Sequence, residues 1–259
     1  METDKTLDEF KQLLDIMDRL RVSCPWDKKQ TNESLRKLTI EETYELADSI
    51  LEKDDQGICN ELGDLMLHLV FYAKIGSEKG AFNIYDVLSG INEKLVYRHP
   101  HVFGDVEVSS ATEVEDNWEQ LKMDESEGYK PVLSGVPNSL PALVKANRIQ
   151  EKVRGVGFDW ENKDQVWDKV REEVRELREE IMNGDIEHIE SEFGDVFFSL
   201  INAARLYGID PESALERTNR KFIRRFNFLE SKTIMEGNSL HNMSLAEMDK
   251  IWEEAKDHE

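Results

Sequence analysis

Glu61-Leu62-Gly63-Asp64-Leu65-Met66-Leu67-His68-Leu69-Val70-Phe71-Tyr72-Ala73 decides the fold class of this chain. Leu62, Leu65, Met66, Leu69, Val70 and Ala73 recur at three- and four-residue steps. That is the repeat of one helix face, whereas a half-buried strand would alternate. The same steps appear upstream in Leu7, Phe10, Leu13, Leu14, Met17 and Leu20. They return downstream in Val196, Leu200, Ala203, Ala204 and Tyr207, and again in Ala214, Leu215, Thr218, Phe222 and Phe226. No alternating run with hairpin turns accompanies them, so an all-α chain is expected. Asn83, Pro211, and Ser139 with Pro141 read as helix starts from their cap and first-turn preferences.

The opening stretch has a second copy. Glu61-x-x-Asp64 lies in ELGDLM, and Glu192-x-x-Asp195 lies in EFGDVF. Upstream of each stands an EExxE pattern, Glu41-Glu42-x-x-Glu45 and Glu172-Glu173-x-x-Glu176, and all five acidic positions repeat at an offset of 131. Asn92, Lys94 and Arg98 are echoed by Asn219, Lys221 and Arg225 at an offset of 127, and Trp118 by Trp252 at 134. Changes of a few residues in offset are what loop insertions produce, so a duplicated helical module is the economical reading. Three of the six prolines, Pro131, Pro137 and Pro141, fall in one short stretch with Gly128 and Gly135. The expected organisation is therefore a helical-bundle module over residues 1–123, a connector over 124–141 and a second module over 142–259. Val132, Leu133 and Val136 suggest that the connector is packed.

Composition narrows the function. Against 33 Lys and Arg stand 55 Asp and Glu in 259 residues, a formal charge of −22. A chain so acidic is not built to neutralise phosphates along a nucleic-acid polymer. No apolar run approaches the ~20 residues of a membrane span, and the amino-terminal METDKTLDEFKQ has no secretory apolar core. The two cysteines, Cys24 and Cys59, form no CxxC pair and read as reduced thiols. A cytoplasmic protein is expected.

On a helix, residues three apart share a face. Glu42 with Glu45 and Glu61 with Asp64 make two carboxylate pairs on two helices, and Glu173 with Glu176 and Glu192 with Asp195 make two more. If each helix pair packs antiparallel, four carboxylates meet across the seam. Such anions repel at low dielectric and call for a cation. An all-oxygen set suits Mg²⁺ or Mn²⁺ rather than zinc. EExxE alone, in so acidic a chain, is usually a solvated helix face. Two features argue otherwise: the constellation repeats, and the ExxD carboxylates interrupt apolar helices (Leu62, Leu65 and Met66; Phe193, Val196 and Phe197), which predicts that they leave bulk water. A di-iron bundle would need Glu-x-x-His pairs, and no histidine here follows a glutamate by three. His99-Pro100-His101 reads as a turn that ends a helix.

Cations complete the pattern. Lys221, Arg224 and Arg225 follow one stretch with Phe222 and Phe226 beside them. Basic side chains beside a carboxylate-held divalent ion are how proteins hold di- and triphosphates, although surface pairing in an acidic protein is the plainer use. Trp252 reads either as a hydrophobic anchor for a last helix or as a platform for a nucleobase.

The phrases CPWDKKQTNESL, TIEETYEL, ELGDLMLHLVFYA, RHPHVFGD, SLPALVKANRIQEKV, VGFDW and NRKFIRRF resemble the MazG nucleoside triphosphate pyrophosphohydrolases over nearly the whole chain. That resemblance implies an all-α homodimer that requires Mg²⁺ and cleaves nucleoside triphosphates between the α and β phosphorus atoms, releasing monophosphate and pyrophosphate. It implies metal ligation by Glu173, Glu176, Glu192 and Asp195, and by Glu42, Glu45, Glu61 and Asp64 in the first half. It assigns nucleotide contacts to Lys169, Glu172, Lys221, Arg224, Arg225 and Trp252, and more loosely to His188 to Ser191. In two-domain members the second half resembles the active one.

The halves also differ. By offset, Lys169 corresponds to Leu38 and Arg224 to Tyr97, so the first half keeps its carboxylates and lacks two cations. The reading is a Mg²⁺-dependent pyrophosphohydrolase with its main site in the second half, Glu173 or Glu176 serving as general base. The rival of another class is a non-catalytic, nucleotide-binding dimer that regulates a partner protein. A pyrimidine-specific diphosphatase of related build is a third.

Overall fold

The computed structural model describes residues 2–110, 131–235 and 237–256, together with 113, 114, 117, 118 and 121. They fall into two compact units, Met1–Ser109 and Ser110–Glu259. Among the described residues there is no strand.

The first unit runs α1 (Glu2–Ser23), α2 (Asn32–Glu52), α3 (Asp55–Glu78), α4 (Ile84–Arg98) and a single turn, α5 (Pro100–Phe103). Each start has a local cause. Thr31 and Ser34 exchange side-chain and backbone hydrogen bonds to open α2, and Asn83 and Asp86 do the same for α4, satisfying amides that lack helical partners. His99 closes α4 and leads into α5 through Pro100, the expected turn. α2 and α3 lie side by side, with α1 and α4 against α3. Their apolar stripes meet in a core of Met17, Leu35, Val70, Phe71 and Ile75, flanked by Phe10, Leu13, Leu14 and Leu38.

A half-buried arginine ties α1 to the end of α3. Arg21 Nε and Nη2 donate to Glu78 Oε1 and Oε2 at 2.9 and 2.5 Å, and Nη1 donates to the Asp27 carbonyl. Hydrogen bonding to Arg21 holds the Glu78 carboxyl below its ordinary value. A depressed carboxyl adds stability above its unfolded pKa, and the gain is lost as pH falls through the folded one. Glu78→Gln is therefore expected to cost about 0.5–1 kcal/mol near neutral pH, as for a partly exposed pair, with the gap closing in acid. Denaturant unfolding at both pH values checks this, and a gap that widens in acid would contradict it.

The second unit repeats the plan. A 3₁₀ turn, Val132–Gly135, precedes α6 (Ala142–Arg154), α7 (Lys163–Asn183), α8 (Ile186–Leu206), α9 (Pro211–Met235) and α10 (Leu245–Lys256). α7 and α8 pack side by side, α6 and α9 lie against α8, and α10 lies against α9. The order of packing thus matches α1 to α4. Val166, Val170 and Ala203 are buried together with Leu206 beside them. Pro211 opens α9 as expected. Ser139 caps nothing: Pro141 occupies the cap position of α6 without a side-chain bond, its fixed φ being sufficient for the entry. Of the connector, residues 124–130 lie outside the described residues. The 3₁₀ turn packs against α6, with Val132 and Val136 half-buried and Leu133 exposed.

Both central hairpins turn on a left-handed residue. Gly184 closes α7 at φ 80 and Lys53 closes α2 at φ 58. A side chain at positive φ carries a steric cost that glycine escapes. Lys53→Gly is expected to stabilise the chain by about 1 kcal/mol, read as a raised Tm. A lowered Tm would mean that Lys53 makes compensating contacts.

Candidate functional site

The two hairpins place the acidic residues by symmetry about their turns. Glu45 and Glu61 stand eight residues either side of Lys53, and Glu42 and Asp64 stand eleven. Glu176 and Glu192 stand eight either side of Gly184, and Glu173 and Asp195 stand eleven. In an antiparallel pair, residues equidistant from the turn reach the same height, because both helices rise equally per residue.

The geometry follows. One carboxylate oxygen from each of Glu173, Glu176 and Glu192 lies within 4.8 Å of the other two, and Glu42, Glu45 and Glu61 form the same group in the first unit. The fourth carboxylates, Asp64 and Asp195, lie outside those triads and are exposed. They remain near enough to be the largest charge acting on Glu42 and on Glu192 respectively. The expectation that the ExxD pairs leave bulk water thus holds for Glu61 and Glu192, which are half-buried, and fails for the two aspartates. The reason is that Leu62, Met66, Phe193 and Phe197, 53%, 42%, 43% and 60% exposed, are not buried within their units.

One atom in each triad marks it as chemically incomplete. Among the described residues, Glu61 Oε2 and Glu192 Oε2 are buried and have no hydrogen-bond partner, a condition folded proteins seldom tolerate. Burial, and then the neighbouring carboxylates, push Glu192 above its ordinary pKa, and the same causes in the same order raise Glu42. Three hard oxygen donors converging on one point, one of them orphaned, fit a divalent cation such as Mg²⁺.

The units differ in charge. In the second, Lys169 Nζ sits 2.7 Å from Glu173 and 3.0 Å from Glu172. These bonds, that to Glu173 first, raise Lys169 far above the ordinary lysine value. Its charge is therefore spent on its own helix, where it partners the buried Glu173. The resemblance implied a nucleotide contact for Lys169 and Glu172; they form this ion-pair network. In the first unit the corresponding Leu38 packs against the core, and among the described residues no lysine pairs with Glu42.

The basic stretch lies on α9. Lys221 and Arg224 are exposed and have no ion pair among the described residues. The Arg225 guanidinium lies 5.9 Å from the Trp252 ring centroid, and Trp252 packs against Phe222 at 5.0 Å between centroids. The anchor role of Trp252 is thus filled within the unit, since Ile251 and Ala255 beside it are buried. Arg98, the first-unit counterpart of Arg225, is buried. His188 lies at the start of α8, 3.5 Å from Glu180.

Sequence reading missed one feature. Lys169 and Asp195 also border a cavity of about 450 Å³ whose wall includes Ile149, Gln150, Phe158 and Trp160. Its parts come from α6, the loop after it, α7 and α8, which no single spacing in the sequence brings together.

Comparison with known proteins agrees with this architecture. The family model described as the MazG nucleotide pyrophosphohydrolase domain matches residues 30–103 and 162–228, one match over each hairpin. The chain is 44% identical over 250 residues to the Thermotoga maritima nucleoside triphosphate pyrophosphohydrolase/pyrophosphatase MazG, covering 95% of each. It is 39% identical over 257 residues to the Escherichia coli nucleoside triphosphate pyrophosphohydrolase, covering 96% of this chain and 98% of that one. It is also 47% identical to Bacillus subtilis YabN over 97% of this chain and 52% of that protein.

Proposed function

The chain belongs to the MazG nucleotide pyrophosphohydrolase family, and on that premise we propose that it hydrolyses nucleoside triphosphates to monophosphate and pyrophosphate with Mg²⁺, chiefly in its carboxy-terminal unit. The observation that carries the reading is the convergence of Glu173, Glu176 and Glu192 with an orphaned Glu192 oxygen. The same premise supports a division into an amino-terminal module, a connector and a carboxy-terminal catalytic module.

In this reading Glu173, Glu176, Glu192 and Asp195 hold the cation, and Glu42, Glu45, Glu61 and Asp64 form a weaker counterpart. When bound, Mg²⁺ offsets charge on the phosphate oxygens. Glu173 or Glu176 orients a water and takes its proton as the water oxygen bonds to phosphorus and the bridging oxygen between the α and β phosphorus atoms leaves. Lys169 holds the Glu173 carboxylate in place through its 2.7 Å contact. Lys221, Arg224 and Arg225 meet the negative charge of the substrate and of the departing pyrophosphate. Product identification after incubation with a panel of nucleoside triphosphates tests this. Monophosphate plus pyrophosphate in Mg²⁺, and none in EDTA, is expected. Diphosphate plus orthophosphate, or binding without turnover, would overturn it.

The chain acts as a homodimer in the cytoplasm. Supporting this, Phe193, Phe197 and Leu200 leave an apolar stripe on α8 that is 43%, 60% and 42% exposed in one chain, more than a solitary surface helix usually carries. Cys24 and Cys59 are unpaired. Sedimentation is expected to give about twice the 30.1 kDa chain mass; a mass near one chain at micromolar concentration would contradict it.

A further inference from the structure

We propose that the cavity beside the carboxy-terminal carboxylates is a nucleobase pocket, with Phe158 and Trp160 as its aromatic wall and Gln150 Oε1 as the acceptor that reads an N–H of the base. The proposal rests on the pyrophosphohydrolase reading and adds the residues that select the base.

Size and place come first. At about 450 Å³ the cavity falls among small-molecule sites, which are mostly apolar with a few convergent polar groups. Lys169 and Asp195 border it, and Lys169 touches Glu173. A ligand with a planar ring inside would therefore have its other end beside the carboxylates that hold the cation.

The polar groups are arranged to be read. Gln150 is 3% exposed. Its Nε2 donates to the Phe198 carbonyl at 2.9 Å, which fixes the amide, and its Oε1 is buried without a partner among the described residues. A buried, oriented and unused acceptor on a cavity wall asks for a donor from the ligand. Asn202 supplies the complement. Its Oδ1 accepts from Arg205 Nε and Nη2 at 3.1 and 2.8 Å, leaving Nδ2 as a donor. One acceptor and one donor match the pairing edge of a base, which carries both kinds of group.

The aromatic wall is held in place. Gly157, at φ 83, turns the chain after α6 so that the Phe158 amide donates to the Val153 carbonyl at 3.0 Å. Arg205 Nη1 donates to Asp159 Oδ2 at 3.0 Å and Nη2 donates to Oδ1. The residue between the two aromatics is thereby tied to α8. Phe158 is 78% exposed and Trp160 38%, so both offer ring surface that a stacked base would cover.

The test measures binding of the four nucleoside monophosphates and of ribose 5-phosphate to the full chain in EDTA by calorimetry, away from turnover. Monophosphates are expected to bind at least about tenfold tighter than ribose 5-phosphate, the lower range of base–aromatic stacking. Phe158→Ala and Trp160→Ala should erase most of that margin without changing ribose 5-phosphate binding. Gln150→Met should narrow the spread among the four bases. Phe158 is exposed enough that its variant keeps the fold, which circular dichroism checks. Equal binding of monophosphates and ribose 5-phosphate, or an unchanged margin in Phe158→Ala, would overturn the proposal. So would a margin lost only in Trp252→Ala, which would place the base on α10. Loss of the margin in the pocket variants, in a protein that hydrolyses no triphosphate, would uphold the pocket and sink the hydrolase reading.

Discussion

Exchanging Glu192 for glutamine is expected to abolish Mg²⁺-dependent pyrophosphate release, with a loss well beyond the roughly 10- to 100-fold of outer-shell changes at metal sites, while the helical circular dichroism stays intact. The glutamate is half-buried on α8, and one of its oxygens has no partner among the described residues. Its carboxyl is pushed up by burial and by Asp195, Glu176 and Glu173. Glutamine keeps the shape and removes the charge. Without cation the variant should therefore be at least as stable as the parent, since like charges no longer crowd the seam. The Mg²⁺-induced rise in Tm should shrink. A cation at a hundred times its Kd stabilises by about 2.7 kcal/mol, and most of that gain should go. Asp195→Ala should act in the same direction. Full activity in Glu192→Gln, or an undiminished Tm rise, would sink the metal assignment.

The second large effect separates the two units. Glu42→Gln with Glu45→Gln is expected to leave most pyrophosphate release, whereas Glu173→Gln with Glu176→Gln removes nearly all of it. Carboxylates alone do not predict this, because both triads gather within 4.8 Å. The difference lies in the cations. Glu173 is buried with Lys169 at 2.7 Å, but the matching position near Glu42 is Leu38, part of the core packing. Arg224 is exposed on α9, where the first unit has Tyr97, and Arg98 of the first unit is buried. Each missing charge-assisted contact weakens a polyanion by ~1.5–3 kcal/mol, roughly ten- to a hundredfold. Two such losses, at Tyr97 in place of Arg224 and at the buried Arg98 in place of Arg225, would silence the first unit at ordinary nucleotide concentrations. Equal losses from the two double variants would mean that both units hydrolyse.

The sequence by itself determined the helical class and the carboxylate groups. Helix periodicity and cap chemistry are local, so Leu62 to Ala73 and Asn83 could be read where they stand. The carboxylates were legible for a related reason. Spacings of eight and eleven about Lys53 and Gly184 bring the same residues level in any antiparallel hairpin with those turns. What only the tertiary structure decided is which groups leave water and whom they meet. Glu173 is buried while Asp195 is exposed, although both stand eleven residues from the turn. The charge of Lys169 is turned inward to Glu172 and Glu173. Gln150, Phe158 and Asn202 share one cavity because α6 packs against α8, an approach that no interval along the chain records. Burial is a property of every neighbour at once, whereas periodicity belongs to a single helix.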